Sequence, residues 1–395
     1  GLAGNDTLEG GAGNDTLTGG AGDDSYVYDP ADTIVEAPGG GSDTLRVDVT
    51  YTLAMPNIEN LLLTGSADLD ATGDDQNNAL TGNSGANVLD GGAGSDAMTG
   101  GLGNDTYYVD SPGDTVIEAS AAGGTDQVFS TVSFTLGANV ENLVLGGGAI
   151  SGTGNGGANE LTGTGSTDNV LSGGAGNDVL QGGRGEDVMM GGTGNDVYYV
   201  NRGDGAGVAK TGAEEDQVIE AAGAGTDTVH SNVYTYLLGA NVENLVLEDG
   251  ARRGYGNALD NEISGNDRNN FLFGAAGNDT LNGGLGADTL TGGPGEDEFV
   301  FDNTANIDRV MDFVAGEDTV VLSLAAFAGV GTPGNFNPDA LAIGATALDA
   351  DDRILYDSAS GALYYDDDGS GADAAVQFAT LVGHPALAAD DIEVS

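Results

Sequence analysis

The sequence predicts an all-β chain, a tandem right-handed parallel β-solenoid with a C-terminal β-rich cap. Three observations predict it. A nine-residue unit, G-G-x-G-x-D-x-U-x with U large and apolar, recurs in four clusters. Two units make eighteen residues, which is one coil of turn, strand, turn, strand. That offset returns like residues to like positions, so apolar U residues stack inside and acidic turns stack outside.

Each position in the unit has a mechanical role. The glycines permit the tight turn and the close approach of backbones. The last three residues form a short strand whose side chains alternate, with U pointing inward. The first cluster reads GLAGNDTLE, GGAGNDTLT and GGAGDDSYV from Gly1, and the second GGAGSDAMT and GGLGNDTYY from Gly91. The third reads GGAGNDVLQ, GGRGEDVMM and GGTGNDVYY from Gly173, and the fourth GAAGNDTLN, GGLGADTLT and GGPGEDEFV from Gly274. Parallel neighbours lie about 4.8 Å apart. The offset therefore stacks Asp6 with Asp24, Asp178 with Asp196 and Asp279 with Asp297. It also sets Asn78 against Asp96, Asn87 against Asp105, Asn169 against Asp187, Asn261 against Asp279 and Asn270 against Asp288.

Charge decides what these stacks need. The 395 residues include 63 acids and 9 bases, for a formal net charge of -54. Carboxylates at that density oppose compaction unless a cation offsets them. The single lysine, Lys210, cannot do so. Intrinsic disorder fits the composition but not the fixed apolar spacing. A metal-free, silk-like repeat leaves the fixed aspartates unexplained. A chain disordered without metal and folded with it satisfies both. Stacked carboxylates and glycine-turn carbonyls form an all-oxygen cage, which suits calcium better than magnesium. With no cysteine and only His230 and His384, zinc and copper are poor candidates. Nucleic acid and membrane insertion are excluded as partners by the charge and by the lack of a long apolar run.

With these residues in view, the chain resembles the RTX (repeats-in-toxin, hemolysin-type) calcium-binding parallel β-roll proteins exported by type I secretion. The resemblance implies several calcium ions held between successive turns by the position-six aspartates and by turn carbonyls. On this sequence these are Asp6, Asp15, Asp24, Asp96, Asp105, Asp178, Asp187, Asp196, Asp279, Asp288 and Asp297. Asn78, Asn87, Asn159, Asn169, Asn261 and Asn270 take that position early in their clusters, and lacking charge they imply weaker or empty sites. Leu2 replaces a glycine of the first unit.

The clusters sit in longer modules. DTIVEAPGGGSDTL (32–45), DTVIEASAAGGTDQV (114–128) and DQVIEAAGAGTDTV (216–229) match one another. So do YTLAMPNIENLLLTG (51–65), FTLGANVENLVLGG (134–147) and YLLGANVENLVLED (236–249). These segments read as further β coil with larger loops. Asp43, Asp126 and Asp227 in their glycine-rich turns are either further ion ligands or ordinary solvated turn residues. The resulting division is nonads at 1–28, solenoid modules at 29–109, 110–200 and 201–301, and a C-terminal cap with a type I secretion-like region at 302–395. The insertion at 201–215, with Lys210, Glu214 and Glu215, reads as a surface loop. DDDGSGAD (366–373) is not an EF-hand, because Tyr364 and Ala375 fall at ligand positions.

Catalytic signatures are missing. There is no H-E-x-x-H, no G-x-S-x-G and no Walker lysine loop, and GTGNGG (152–157) follows no βαβ pattern. His230 reads as a strand-surface residue. The expectation is therefore a non-enzymatic calcium-binding structural protein, secreted to the exterior or surface of a bacterium. It folds on calcium and self-associates head-to-tail or side by side into a filament or surface layer. The alternative is a calcium-dependent folding and secretion region of a larger secreted enzyme, toxin or adhesin. The start at Gly1, inside a repeat, reads as a processed product or a piece of a longer chain.

Overall fold

A computed structural model describes residues 1–201 and 216–395, so the loop expected around Lys210, Glu214 and Glu215 lies outside the described residues. Two compact units divide it, Gly1–Thr193 and Gly194–Ser395. Each is a parallel β-solenoid. Among the described residues the only helical turns are two short 3-10 segments, Pro338–Ala340 and Ala389–Asp391. No helix among them is long and apolar enough to cross a membrane.

In the first unit, one face stacks Ser25–Val27, Thr44–Val47, Asn60–Leu63, Ala79–Thr81 and Ala97–Thr99 in parallel register. The other face stacks Asp70–Thr72, Val88–Asp90, Thr106–Val109, Gln127–Ser130 and Asn142–Leu145. Alternation along each short strand buries one side chain and exposes its neighbours. Leu45, Leu61, Leu80 and Met98 form one interior ladder, and Leu89, Tyr107, Val128 and Leu143 face it. Each is fully buried or nearly so, which makes a core only two side chains thick.

Within the nonads the register offset is eighteen, as in Leu80↔Met98 and Leu89↔Tyr107. The modules between them do not simply add larger loops. Thr106 pairs with Gln127, twenty-one residues on, and Gln127 with Asn142, only fifteen on. A long coil is followed by a short one, and the pair spans the same thirty-six residues as two ordinary coils. Thr44 pairs with Ser25, nineteen back, and with Asn60, sixteen on, so there the long and short coils together span thirty-five. The turns absorb these differences and the strands stay in register, Tyr26 with Leu45 and Tyr107 with Val128, all buried; a one-residue slip between strands would turn the apolar set outward.

The second unit repeats the pattern. Tyr198, Val229, Leu245, Ile263, Leu281 and Phe299 stack on one face and Leu272, Leu290 and Val310 on the other. The cap then changes direction. Val376–Leu381 pairs in parallel with Asp308–Val310, and Ala362–Tyr365 and Ile354–Asp357 follow it antiparallel. Phe327 and Phe378, with ring centroids 4.8 Å apart, fill the wider interior there. His230 lies on the outer strand face, stacked on Tyr199 at 5.1 Å and bonded to Glu248 at 2.8 Å.

Candidate metal centre

The glycine turn of each nonad delivers position six to the corner of the coil, just before the strand. Its backbone N–H donates to a carboxylate oxygen one coil further along. In the first unit Asp6 donates to Asp24 Oδ1 and Asp24 to Asp43 Oδ1, both at 2.8 Å, and Asp43 to Glu59 Oε2 at 2.9 Å. Asn87 donates to Asp105 Oδ1 and Asp105 to Asp126 Oδ1, both at 2.7 Å, and Asp126 to Glu141 Oε2 at 2.8 Å. Asp15 donates to Asp32 Oδ1 at 3.0 Å, Asn78 to Asp96 Oδ1 at 2.7 Å, and Asn159 and Asn169 to Asp178 and Asp187 at 2.7 Å. In the second unit the ladders run from Asp196 to Asp227, from Asn261 through Asp279 and Asp297 to Asp318, and from Asn270 through Asp288 to Asp308.

In several of these carboxylates the bond uses one oxygen and leaves the other. The Oδ2 atoms of Asp24, Asp96, Asp105, Asp279, Asp288 and Asp297 are buried with no hydrogen-bond donor among the described residues. A buried carboxylate oxygen without a partner is costly. The space beside these atoms is shaped by the first glycine of the nonad. A Cβ added at Gly91, Gly283 or Gly292 would lie 2.5, 2.4 or 2.1 Å from Oδ2 of Asp96, Asp288 or Asp297. One coil earlier, a Cβ at Gly265 would meet the Gly283 carbonyl at 2.2 Å and Asn270 Oδ1 at 2.6 Å. Oxygens of two successive layers therefore converge on a space that only glycine leaves open.

Electrostatics agree. Burial, with neighbouring acids adding to it and the donated N–H opposing it, pushes Asp96, Asp279 and Asp297 up to about 6. The same causes push Asp105 to about 7 and Asp288 to about 8. An all-oxygen, negatively charged and partnerless donor set fits a hard divalent cation.

The asparagine layers behave differently. Asn87 Nδ2 donates to the Leu69 carbonyl at 2.8 Å, Asn169 Nδ2 to Ala149 at 2.8 Å, and Asn261 Nδ2 to Glu243 at 2.9 Å. An amide can give what a carboxylate cannot, so it bonds the preceding coil directly.

The ladders end in two ways. At Asp114 the second oxygen accepts from the N–H groups of Asp110 and Ser111, at 3.1 and 3.0 Å, and is satisfied. Asp318 is closed in a similar way, its second oxygen accepting from the Val314 N–H at 2.7 Å, whereas at three other places a glutamate enters. Asp24, Glu36 and Asp43 each place a carboxylate oxygen within 4.8 Å of the others, as do Asp105, Glu118 and Asp126, and Asp196, Glu220 and Asp227. Sequence reasoning missed Glu36, Glu118 and Glu220. The available signal was their recurrence in the V-E-A, I-E-A and I-E-A strings. It also missed Glu59, Glu141 and Glu243, which cap the ladders from the next coil.

Fold and site together define a repeat-built solenoid whose turns stack into oxygen-lined cation cradles. Comparison with known proteins makes this specific. Residues 1–29, 72–107, 163–198, 255–290 and 264–299 match the RTX calcium-binding nonapeptide repeat, so the chain carries repeats of the calcium-binding RTX type. No curated protein matches the chain. Among similar solved structures is the solution structure of the AlgE6R3 subunit of the Azotobacter vinelandii mannuronan C5-epimerase. It is 26% identical and covers 40% of this chain and 81% of that one, with a TM-score of 0.26.

Proposed function

We propose that the chain is a calcium-triggered structural solenoid that folds and works outside a bacterial cell. In this reading calcium ions between successive turns are held by Asp6, Asp15, Asp24, Asp96, Asp105, Asp178, Asp187, Asp196, Asp279, Asp288 and Asp297. One observation carries it: buried carboxylate oxygens recur at the nonad period with no donor facing them. Low-affinity extracellular modules bind calcium at roughly 10⁻⁴–10⁻³ M, a level the exterior supplies and the cytoplasm does not. The expected type I export and end-to-end or lateral assembly are the finer parts of the same reading. His230, engaged by Tyr199 and Glu248 on a strand face, lends no support to a catalytic role.

The test is circular dichroism of the full chain with chelator and with added calcium. The β signal is expected to fall sharply in chelator and to return with calcium. Asp279→Ala is expected to raise the calcium midpoint, since it removes the ligand and leaves Asn261 N–H without its acceptor. A spectrum indifferent to chelation overturns the reading. Electron microscopy of the loaded chain tests assembly, against which discrete particles at high concentration would count.

A further inference from the structure

The chain's three nonad-to-module junctions share a constellation that the nonads lack. An aspartate closes the last nonad, a glutamate follows in the next coil, and a second aspartate ends the turn after it. In the first unit these are Asp24, Glu36 and Asp43, then Asp105, Glu118 and Asp126, and in the second unit Asp196, Glu220 and Asp227. The tyrosine at U of that last nonad turns its hydroxyl to the glutamate, as Tyr26 to Glu36, Tyr107 to Glu118 and Tyr198 to Glu220. At the middle junction all three acids are buried, and Asp105 Oδ2, Glu118 Oε2 and Asp126 Oδ2 have no hydrogen-bond donor among the described residues. At the first junction the same holds for Asp24 Oδ2 and Asp43 Oδ2. Among the described residues no arginine or histidine pairs with any of these six acids.

The surroundings are built to hold the glutamate still. Its backbone carbonyl accepts from an asparagine in left-handed conformation, Asn57 for Glu36 at 3.1 Å, Asn139 for Glu118 at 3.0 Å and Asn241 for Glu220 at 2.9 Å. Glycine again leaves the room. A Cβ at Gly100 would lie 2.2 Å from both Asp105 Oδ2 and the Tyr107 hydroxyl, and 2.5 Å from Glu118 Oε1. Gly19 would meet Asp24, Glu36 and Tyr26 in the same way. Asp114 supplies the contrast within the same unit, for its second oxygen is closed by two backbone N–H groups and needs no ion.

The geometry points to a second class of cation site at these junctions, one divalent ion each, held by three carboxylates with a tyrosine hydroxyl orienting the glutamate. A nonad layer offers about one carboxylate per coil and relies on carbonyls. Three convergent carboxylates give a higher donor charge, which is how oxygen-ligand sites reach tighter binding. The tyrosine acts as a positioning residue on the ligand it holds. These sites therefore fill before the nonads and pin the coils where the register lengthens and shortens. The inference deepens the calcium reading, but its readout is separate.

The experiment is a terbium(III) titration of the chelated full chain, with tyrosine excitation, alongside calcium calorimetry. Three sensitised sites are expected to saturate before the dichroism transition is complete. Glu118→Gln is expected to weaken one of them about 10- to 100-fold, leaving two, whereas Asp114→Asn leaves three. Tyr107→Phe keeps the ring in the core and is expected to lower the sensitised emission with the fold intact, which covers the case in which Glu118→Gln does not fold. The inference is overturned if Glu118→Gln folds and binds like the parent, or if sensitised binding appears only with the bulk transition. If dichroism ignores calcium while three tight sites are counted, the nonad reading fails and this one stands.

Discussion

The first glycine and the sixth aspartate of a nonad are one device seen from two sides. Gly283 has no side chain because Asp288 Oδ2 occupies that side, and Asp288 can lie there because Gly283 has no side chain. Gly283→Ala is thus expected to raise the calcium midpoint of the dichroism transition. Gly39→Ala provides the comparison. Its φ of +72° carries strain of about 1 kcal/mol, but an added Cβ there meets nothing within 4 Å. It is expected to lower stability by that amount in the loaded protein and to move the calcium midpoint less.

The same carboxylates set a pH dependence of unusual sign. Burial holds Asp288 up at about 8 and Asp105 at about 7 in the metal-free fold, against about 3.9 for an unfolded aspartate. A folded value above the unfolded one means the folded state binds more protons. Its stability is fully present below about 4 and is lost as pH rises through the folded value. In chelator, acidification from pH 8 to pH 5 is therefore expected to increase the β signal, and excess calcium to flatten that change. A metal-free chain that loses β structure over the same interval would contradict the assignment of these aspartates as the groups the ion replaces.

At the scale of the strand, the thin interior makes each U residue matter. Leu281 is fully buried between Ile263 and Phe299. Leu281→Ala is expected to cost about 2–5 kcal/mol in denaturant unfolding of the calcium-loaded protein. These residues were legible in the sequence because one period governs both U and position six. The coil pairs Asn87–Asp105 and Asn270–Asp288 follow from counting eighteen. Glu118 was not legible in that way. The corresponding glutamates lie twelve residues past Asp24, thirteen past Asp105 and twenty-four past Asp196. No fixed spacing links them to the nonad. They meet the aspartates because the coil that carries them is longer than eighteen residues, by a different amount at each junction, and that is visible only once strands are paired. The asparagines are expected from their lost charge to mark weaker or empty sites, and their amides bond the coil before them.

Over the whole chain the net charge of -54 has to be met site by site. Monovalent salt screens exposed charges over roughly 10 Å at 0.1 M. It supplies nothing to an oxygen sealed inside a turn. Sodium chloride added to the chelated chain is therefore expected to restore little of the dichroism that low-millimolar calcium restores. Full recovery in sodium alone would mean that general repulsion, and not the buried oxygens, keeps the chain open.

The amide-bonded asparagine layers lead to one last expectation. A layer closed by its own hydrogen bonds can assemble with no ion at all. Such layers come ahead of the charged ones in the later clusters, at Asn78 and Asn87, at Asn159, and at Asn261 and Asn270. Each cluster thus holds a patch of coil ready before any metal arrives, a starting block from which winding proceeds in one direction. Amide exchange of the chelated chain should find its slowest protons beside those asparagines, with protection spreading toward the aspartates as calcium is added.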